Sequence, residues 1–463
     1  MTESNNTRRL AEFSANLKFQ DLPDDVVAKL KLLTLNIIGK AFAGSTTSLG
    51  KKYLQLGQAI GGGSGDAGVI ASDVRLSCPA ATYVNSGYAT ALDYDDTLHW
   101  ALIHPGNAAV TSGLAVGSAN DRSGQDFLTA LVLGYEVGGR IALACQPSVE
   151  RFKDVWGLGN QSFTSAPVVG RLLNLDSQQM YSALGITGVY SAVPSAWTYL
   201  VPGTRPMREV KMAWGWSAMV GVTGATAASF DLNMQQEISI FDSEEGWHLM
   251  HGADKVEREK LTDGLGERWD VLTTAYKAYS ACYLIFGVCD AVKVAMGDRQ
   301  VRPEDIEKII VSGGEWITKR LSDTNPAGAV DAQFSTEWCV SMVIMQVPPG
   351  PEWCSDAMLQ NTAARELTKR VECQLDEKAD AAWLDDGKSL NSVKIVLKGG
   401  EELFGQVDEP KGEPGNPITE DEVRETFHRL AAYAIDATRA KQIERVVDEL
   451  DSLGNITELT NLL

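Results

Sequence analysis

The sequence predicts a mainly α-helical protein with a smaller α+β domain. Three observations predict this fold class. From about residue 20 to 265 the apolar residues recur at three- and four-residue spacing in segments rich in alanine and glycine. After about residue 270 the pattern changes to alternating β-branched residues with turn glycines. An amphipathic helical pattern then follows the β-type segments and is expected to return to the first domain, so the helical domain is built from both chain ends.

The helical part contains several segments with recognisable starts and stops. The first begins at the pair Asp24 and Asp25 and ends at Gly44. Ser123 and Asp176 are predicted N-caps for the helices that follow them. The other predicted helical runs cover residues 79–92 and 219–230. Helices this rich in small residues can approach one another closely, which favours a compact helical domain.

The α+β part is predicted from two strand-like segments, residues 306–317 and 392–407. Helical stretches lie between them, near 333–345 and 355–371. A loop rich in proline and glycine follows at 408–417, and Thr419 opens the last helical region.

A chain of 463 residues is too long for one ordinary core, so we expect two domains. The predicted helical domain covers 1–270 and 416–463, and the predicted inserted domain covers 271–415.

Composition limits the classes of partner. The formal charge of −20 argues against nucleic acid or an anionic membrane, because phosphate binding needs clustered lysine and arginine. The seven cysteines are scattered without a CxxC pair, which is typical of reduced thiols, and the five histidines lack HExxH spacing. No apolar run of 18 residues and no signal-peptide pattern occurs. We therefore expect a soluble, cytoplasmic protein.

The glycine-rich stretch GGGSGDAG at 61–68 contains a GxGxxG match. A dinucleotide site needs a strand before the glycines and a helix after them. Here a helical segment precedes the glycines and a short β-like segment follows. The order is reversed, which favours an ordinary turn over a nucleotide site.

The strongest chemical signal is LDYDDTLHWALIHPGNAAV at 92–110. It combines three carboxylates, a hydroxyl and two imidazoles, namely Asp93, Asp95, Asp96, Thr97, His99 and His104. Carboxylates near a histidine can fix its tautomer and tune its pKa for proton transfer. The alternatives are helix capping within a solvated loop, and a metal site formed by Asp and His ligands.

Two lysines are further candidates. Lys211 precedes two tryptophans in VKMAWGW, so it is either a surface lysine whose stem lies on the rings or a desolvated cation facing an anion. Lys277 is flanked by Tyr276 and Tyr279 near the predicted domain change, where pockets often form.

Taken in order, these segments resemble the MmgE/PrpD family along nearly the whole chain. This is the family of 2-methylcitrate dehydratase, cis-aconitate decarboxylase and iminodisuccinate epimerase. The most specific similarity is AATYVNSGYATALDYDDT followed by HPGNAAV. DLPDDVVAKLKLLTLNIIGKAFAG, SGQDFLTALVLGYEVGGRI, GRLLNLDSQQMYSALGITG, YKAYSACYLIFGVCDA, QFSTEWCVSMVI and ITELTNLL are similar to further family segments.

The resemblance implies a lid-type α+β domain inserted in the helical domain, a homodimer, and a pocket between domains that binds small carboxylates without a metal or organic cofactor. It places Asp93, Thr97, His104, Lys211 and Lys277 at catalytic or substrate-binding positions. This sequence departs from the family at three positions. Val155 or Trp156 and Phe286 stand where the family has histidines, and Trp338 stands where it has a tyrosine. With Tyr279, the aromatic residues among these are predicted to line the substrate pocket.

The predicted function is therefore that of a cofactor-independent lyase, which dehydrates or decarboxylates a small carboxylic acid through an enolate. His104 would transfer the proton, oriented by the Asp93 region and Thr97, and the two lysines would hold the carboxylate. Phenylalanine and tryptophan offer fewer polar contacts than histidine and tyrosine, so we expect a substrate less charged or more apolar than methylcitrate. An isomerase or epimerase, an enolate-based cyclase and a non-catalytic carboxylate-binding protein remain alternatives.

Overall fold

The computed structural model describes residues 5–62, 64–152, 154–157, 159–191, 195, 205–209, 214–232, 238–386 and 388–463. In the first part of the chain the α-helices are α1 (Asn6–Asn16), α2 (Asp24–Ser45), α3 (Ser48–Gly61), α4 (Cys78–Thr90), α5 (Pro105–Ala119), α6 (Gly124–Ala144), α7 (Val149–Phe152), α8 (Ser162–Leu172), α9 (Ser177–Tyr190), α10 (Trp214–Ser229) and α11 (Trp247–Met250). The later α-helices are α12 (Phe286–Met296), α13 (Ala329–Gln333), α14 (Thr336–Ile344), α15 (Asp356–Leu359), α16 (Thr362–Thr368), α17 (Glu377–Asp386), α18 (Glu420–Ala431), α19 (Ala437–Asp448) and α20 (Thr457–Thr460). The strands are β1 (Ala67–Gly68), β2 (Arg75–Leu76), β3 (Ile306–Gly313), β4 (Val371–Leu375), β5 (Asn391–Leu397) and β6 (Glu402–Val407).

The predicted fold class, mainly α with a smaller α+β part, is confirmed. Its best-predicted features are the helix starts. Ser123 caps α6 by accepting a hydrogen bond from the Asp126 amide, and Asp176 caps α9 in the same way. Thr419 caps α18 through a reciprocal capping box. In each case a short polar side chain supplies the acceptor that the first helical amides lack.

Close approach of helices builds the helical part. Helix α6 packs against α5 and α8, and α10 packs against α4, α8 and α9. A Cβ added at Gly134 of α6 would lie 2.7 Å from the Ala109 side chain of α5 and 2.7 Å from the Thr164 carbonyl of α8, so only glycine permits this spacing. Among the described residues α6 is the helix long and apolar enough to cross a membrane, but 94% of its most apolar window is buried inside the protein.

The α+β part is organised around a four-stranded sheet in the order β4-β3-β5-β6. Strands β3 and β4 are parallel, whereas β5 is antiparallel to both β3 and β6. Helix α12 packs on β5 and β6.

Three details of the predicted secondary structure were wrong. The strand expected over 306–317 ends at Gly313 and is followed by a π-helical turn, Trp316–Arg320. Residues 392–407 form two strands rather than one, with Gly400 at φ +81° in the turn. The stretch 355–371 contains two short helices and ends at the start of β4, which the sequence analysis missed.

The C-terminal helices pack on the first part of the chain. Helix α18 lies along α2, and the Phe427 ring approaches within 3.1 Å of the position that a Cβ on Gly39 would take. Helix α19 also contacts α2. The predicted domain boundaries at 270 and 415 stay a prediction.

Candidate active site

The loop between α4 and α5 carries the acidic cluster and is held by backbone pairing. Asp93 takes a left-handed conformation with φ +49°, which turns the chain directly after α4. Thr97 and Ala275 then exchange two backbone hydrogen bonds of 3.0 Å. This pairing places the loop beside residues 275–277, although the two segments are far apart in the sequence.

Lys277 and Asp93 form a buried ion pair. The Lys277 Nζ donates to Asp93 Oδ1 and to the Asp93 carbonyl, each at 2.9 Å, and both side chains are only 1% exposed. A lysine enclosed with its counter-ion is held in one position by charge-assisted hydrogen bonds, whereas a lysine facing water samples many rotamers. The pair therefore places a fixed ammonium group at the centre of the loop.

His104 immediately precedes α5, and its ring is oriented by the backbone. Nδ1 lies 2.8 Å from the carbonyl oxygen of Asp96, which can only accept a hydrogen bond. Nδ1 therefore carries the proton, and in the neutral ring Nε2 has the lone pair. Burial, followed by the positive charge of Lys277, lowers the pKa of His104, while Asp95, whose Oδ1 lies 4.0 Å from Nδ1, opposes the shift. The ring is a neutral proton acceptor at pH 7.

Asp96 connects the loop to two helices. Its Oδ1 accepts from the Gly106 amide at 2.9 Å in the first turn of α5, and its Oδ2 accepts from the Tyr135 hydroxyl of α6 at 2.7 Å. Burial raises the pKa of Asp96 to about 7, against the effect of these two hydrogen bonds. Because the Asp96 carbonyl also holds His104, one residue fixes both the imidazole and the helix start that follows it.

Asp95 organises a second group of buried polar contacts. Asn107 donates to Asp95 Oδ2 at 2.7 Å and to the His104 carbonyl at 2.8 Å, and it accepts from Ser86 at 2.9 Å. Gln161 also donates to the His104 carbonyl. The side chain of His104 is thus held by Asp96, and its backbone carbonyl is held by Asn107 and Gln161.

His99 is a second imidazole in the same loop. Its ring stacks on Tyr283 at a centroid distance of 3.8 Å, and its Nε2 lies 3.3 Å from Oε1 of Glu413. Burial, together with the charges of His104 and Lys277, lowers the pKa of His99 to about 3. Burial raises the pKa of Glu413 to about 7.

The other residues predicted from the sequence occupy varied positions. The Thr97 hydroxyl donates to the Ile103 carbonyl at 3.2 Å, which closes the loop between them. Lys211 lies outside the described residues. The sequence neighbour Trp214, which opens α10, places its ring 5.7 Å from the His104 ring.

Most of the aromatic residues predicted to line the substrate pocket lie in the core of the α+β part. The Tyr279 ring contacts Phe286 at 5.2 Å and Trp353 at 5.8 Å. The Trp338 side chain is completely buried, and its indole donates to the Trp353 carbonyl at 2.8 Å. A pocket role for Trp338 would therefore require its neighbours to move. Phe286 reaches towards the loop, because its ring is 5.3 Å from Tyr283, on which His99 stacks.

Trp156 is half-buried and lies in a different aromatic group. Its amide donates to Ser195 Oγ at 3.0 Å, and its ring is 5.5 Å from Phe152, which in turn contacts Trp316 at 5.9 Å.

Comparison with known proteins identifies the family. Residues 8–258 match the MmgE/PrpD N-terminal domain, and residues 279–452 match the MmgE/PrpD C-terminal domain. This chain belongs to the MmgE/PrpD family. Its relatives include cis-aconitate decarboxylase of Aspergillus terreus, which is 25% identical over 99% of this chain and 95% of its own length. The cis-aconitate decarboxylase-like protein oryM of Aspergillus oryzae is 24% identical over 100% of this chain and 98% of its own. Human cis-aconitate decarboxylase is 24% identical over 99% of this chain and 94% of its own.

In this MmgE/PrpD chain, three residues of the site were missed by sequence reasoning. Tyr135 lies in the middle of an apolar helix, and Tyr283 lies six residues after Lys277 without a distinguishing pattern. Glu413 belongs to a loop interpreted only as a connection. Across the described residues, no group of three or more His, Cys, Asp or Glu side chains is arranged to hold a metal ion. The expectation of a site without metal stays a prediction.

Proposed function

We propose that this protein is a lyase that removes carbon dioxide or water from a small carboxylic acid, through an enolate and without a metal or organic cofactor. The observation that carries the proposal is the pairing of an oriented imidazole, His104, with a buried ammonium group, Lys277, whose charge reaches it. The full-length similarity to cis-aconitate decarboxylases supports the same reaction class.

Loss of carbon dioxide and loss of water both pass through an enolate, whose negative charge must be stabilised. When carbon dioxide leaves, its bonding electron pair remains on carbon and spreads onto a neighbouring carboxylate as an enolate. When water leaves, a base first removes a proton from carbon and produces the same enolate. A fixed cation near the developing charge lowers the barrier in both cases. Lys277 is proposed for this role, with Lys211 as the second cation.

His104 is proposed as the proton acceptor. Its Nδ1 proton is committed to the Asp96 carbonyl, so Nε2 is the atom that can take a proton from the substrate in loss of water. In loss of carbon dioxide the substrate gives up no proton, and the carbon that remains has to receive one. Proton transfer by a positioned side chain contributes about 10²–10⁴ in rate. Loss of His104 should therefore be severe without abolishing every trace of turnover.

The charge balance around the loop supports a substrate with few carboxylates. Asp93 already offsets the charge of Lys277, and Asp95 adds a further buried carboxylate. A citrate-like molecule with three negative charges would meet too few cations among the described residues of the site. Aromatic rings at Trp214 and Tyr283, beside the two imidazoles, suit an alkyl or unsaturated arm. The homodimer, the cytoplasmic location and the absence of nucleic-acid and membrane partners are proposed on the family resemblance and composition alone.

An isomerase or epimerase is the second candidate, because one observation favours it. His99 and His104 are close enough for the charge of one to lower the pKa of the other, and both are close to Lys277. Two imidazoles around one enolate could remove a proton from one face and return it to the other.

The test is incubation of the purified protein in D₂O with cis-aconitate and with alkyl-substituted, less charged hydroxy and unsaturated acids. Loss of carbon dioxide or water, followed by mass spectrometry, supports the lyase and identifies the leaving group. Deuterium uptake without a loss of mass supports the isomerase. The variant His104→Gln, which keeps a polar side chain, should reduce turnover by about 10²-fold or more if the residue transfers the proton. Binding of these acids without turnover or exchange would refute both enzyme proposals.

A further inference from the structure

The site as described so far assigns the proton acceptor, His104, and leaves the proton donor unassigned. Loss of water requires a proton for the departing hydroxyl group, and loss of carbon dioxide requires a proton for the carbon left behind. His104 has its Nδ1 proton engaged by the Asp96 carbonyl, and Nε2 is an acceptor in the neutral ring. When carbon dioxide is lost, the substrate gives His104 no proton to return, so a second group has to supply one.

We infer that His99 and Glu413 form a proton-donating pair in the active site, in which the glutamate supplies the proton and the imidazole passes it to the substrate. The inference rests on the proposed function. It assigns a role to a loop that the family resemblance and the sequence analysis left without one.

The geometry at His99 suits a relay. Nε2 is buried and lies 3.3 Å from Oε1 of Glu413, and it forms no hydrogen bond with the described residues, so it is free to receive the proton of the carboxyl group. The ring face is covered by Tyr283 at 3.8 Å, which fixes its plane. The side chain of His99 retains 21% of its exposure, and that of Glu413 retains 19%. Each side chain thus keeps a partly exposed portion, although Nε2 of His99 is itself buried.

Glu413 is held in place by the loop that carries it. The Lys411 amide, two residues earlier, donates to Asp290 of α12 at 2.6 Å. Gly412 has φ +109°, and a Cβ there would lie 2.3 Å from the carbonyl oxygen of Tyr276, the residue before Lys277. The loop between β6 and α18 is therefore packed against the segment that carries Lys277, and this packing brings Glu413 to the site.

The protonation states agree with the direction of transfer. Among the described residues, four groups face His99. The charges of His104 and Lys277 oppose protonation of its ring. Tyr283 stacks on the ring, and Glu413 lies beside Nε2. Burial raises the pKa of Glu413 to about 7, whereas the pKa of His99 is lowered to about 3. Between these values a shared proton resides on the carboxyl group and the ring is neutral.

The transfer is balanced in atoms and charge. The Glu413 O–H bond breaks as a new N–H bond forms at His99 Nε2, and the Nδ1–H bond breaks as the proton joins the substrate carbon or the departing oxygen. The ring is neutral before and after the step, although its tautomer has changed. Before the next turnover Nε2 returns its proton to the Glu413 carboxylate and Nδ1 takes a proton from water, which restores the starting tautomer and the carboxyl group.

The relay makes a spectroscopic prediction that does not require turnover. The chain has five histidines, so ¹⁵N-histidine labelling gives a spectrum that single substitutions can assign. Below pH 7 the acid of Glu413 donates to Nε2, and His99 should be the Nδ1–H tautomer. As pH rises through about 7 the carboxylate accepts from Nε2–H, and the tautomer should switch while the ring stays neutral. The switch should be absent in Glu413→Gln.

Turnover tests the catalytic part. His99→Gln and Glu413→Gln should each lower kcat by about 10²-fold or more, and the wild-type rate should fall as pH rises through about 7. The matched control is His428→Gln, because His428 forms the same kind of pair with Glu444 at 2.7 Å on α18 and α19. Its kcat should change by less than about twofold.

The outcomes separate the two proposals. A wild-type protein that transforms none of the acids refutes the lyase, whereas an active wild type with unchanged kcat in His99→Gln refutes the relay alone. A His99 tautomer that stays constant from pH 5 to 9 also overturns the relay, whatever the activity.

Discussion

The variant Gly106→Ala tests whether Asp96 is the clamp that positions His104. Gly106 is the second residue of α5 and donates its amide to Asp96 Oδ1 at 2.9 Å. A methyl group on Gly106 would lie 2.4 Å from Oδ2 and 2.5 Å from Oδ1 of the same carboxylate. The carboxylate cannot retreat easily, because it is fully buried and held from its other side by Tyr135.

The expected loss of stability has three contributions. Inserting a methyl group into a tightly packed site costs about 1–3 kcal/mol. Displacing the carboxylate from the Gly106 amide removes a charge-assisted hydrogen bond of about 1.5–3 kcal/mol. Alanine favours the helix over glycine by about 1 kcal/mol, which acts in the opposite direction. The sum is a loss of about 1.5–5 kcal/mol in the free energy of unfolding.

Urea unfolding at pH 7 measures this change, and Gly454→Ala is the matched control. A Cβ at Gly454 meets no atom within 4 Å, so the control should change the free energy of unfolding by less than about 0.5 kcal/mol. Because the Asp96 carbonyl fixes the His104 tautomer, the activity of folded Gly106→Ala should also fall. A variant with the stability and kcat of the control would refute the clamp.

Three further predictions concern buried charges. Lys277→Met leaves the Asp93 carboxylate buried without its cation and should lower the free energy of unfolding by about 3–5 kcal/mol; a loss below about 1 kcal/mol would show that the pair is solvated. Tyr135→Phe removes a hydrogen bond to ionised Asp96, so the pKa of Asp96 should rise above about 7. Because the lost bond favours the ionised carboxylate, the variant should lose more stability at pH 8 than at pH 5, and equal losses at the two pH values would contradict this prediction. Burial lowers the pKa of Lys40, so the folded protein favours the neutral amine and Lys40→Met should raise stability at pH 7 in urea unfolding; a decrease would mean that the charge has satisfied partners.

The helices of the fold could be predicted because their signals are local. A cap such as Ser123 and the apolar period after it occupy one continuous stretch of sequence, and both were recovered. Strand β4 could not be predicted in this way, since VECQL alternates poorly and only its first residue is fully buried. Its place in the sheet depends on parallel pairing with β3, about sixty residues earlier.

The site was predictable to the extent that its residues are neighbours in sequence. Asp93 and His104 belong to one segment, and Lys277 was singled out by its position near the domain change. Tyr135 and Glu413 could not be found, because each meets the loop only through the fold. The orienting role predicted for Thr97 stays a prediction; its hydroxyl donates to the Ile103 carbonyl, a partner that the sequence pattern did not reveal.

The two interpretations of the acidic loop, as a structural cap and as a chemical site, describe the same residues. Each carboxylate has a structural partner: Asp93 holds a lysine, Asp95 an asparagine, and Asp96 a helix start. None of them is thereby left to act alone on a substrate. Together they hold the loop in which the Asp96 carbonyl fixes the tautomer of His104, whose pKa the charge of Lys277 lowers, so the proposed chemistry passes to the histidine. Removing a carboxylate should therefore impair activity through the geometry of His104 as well as through charge.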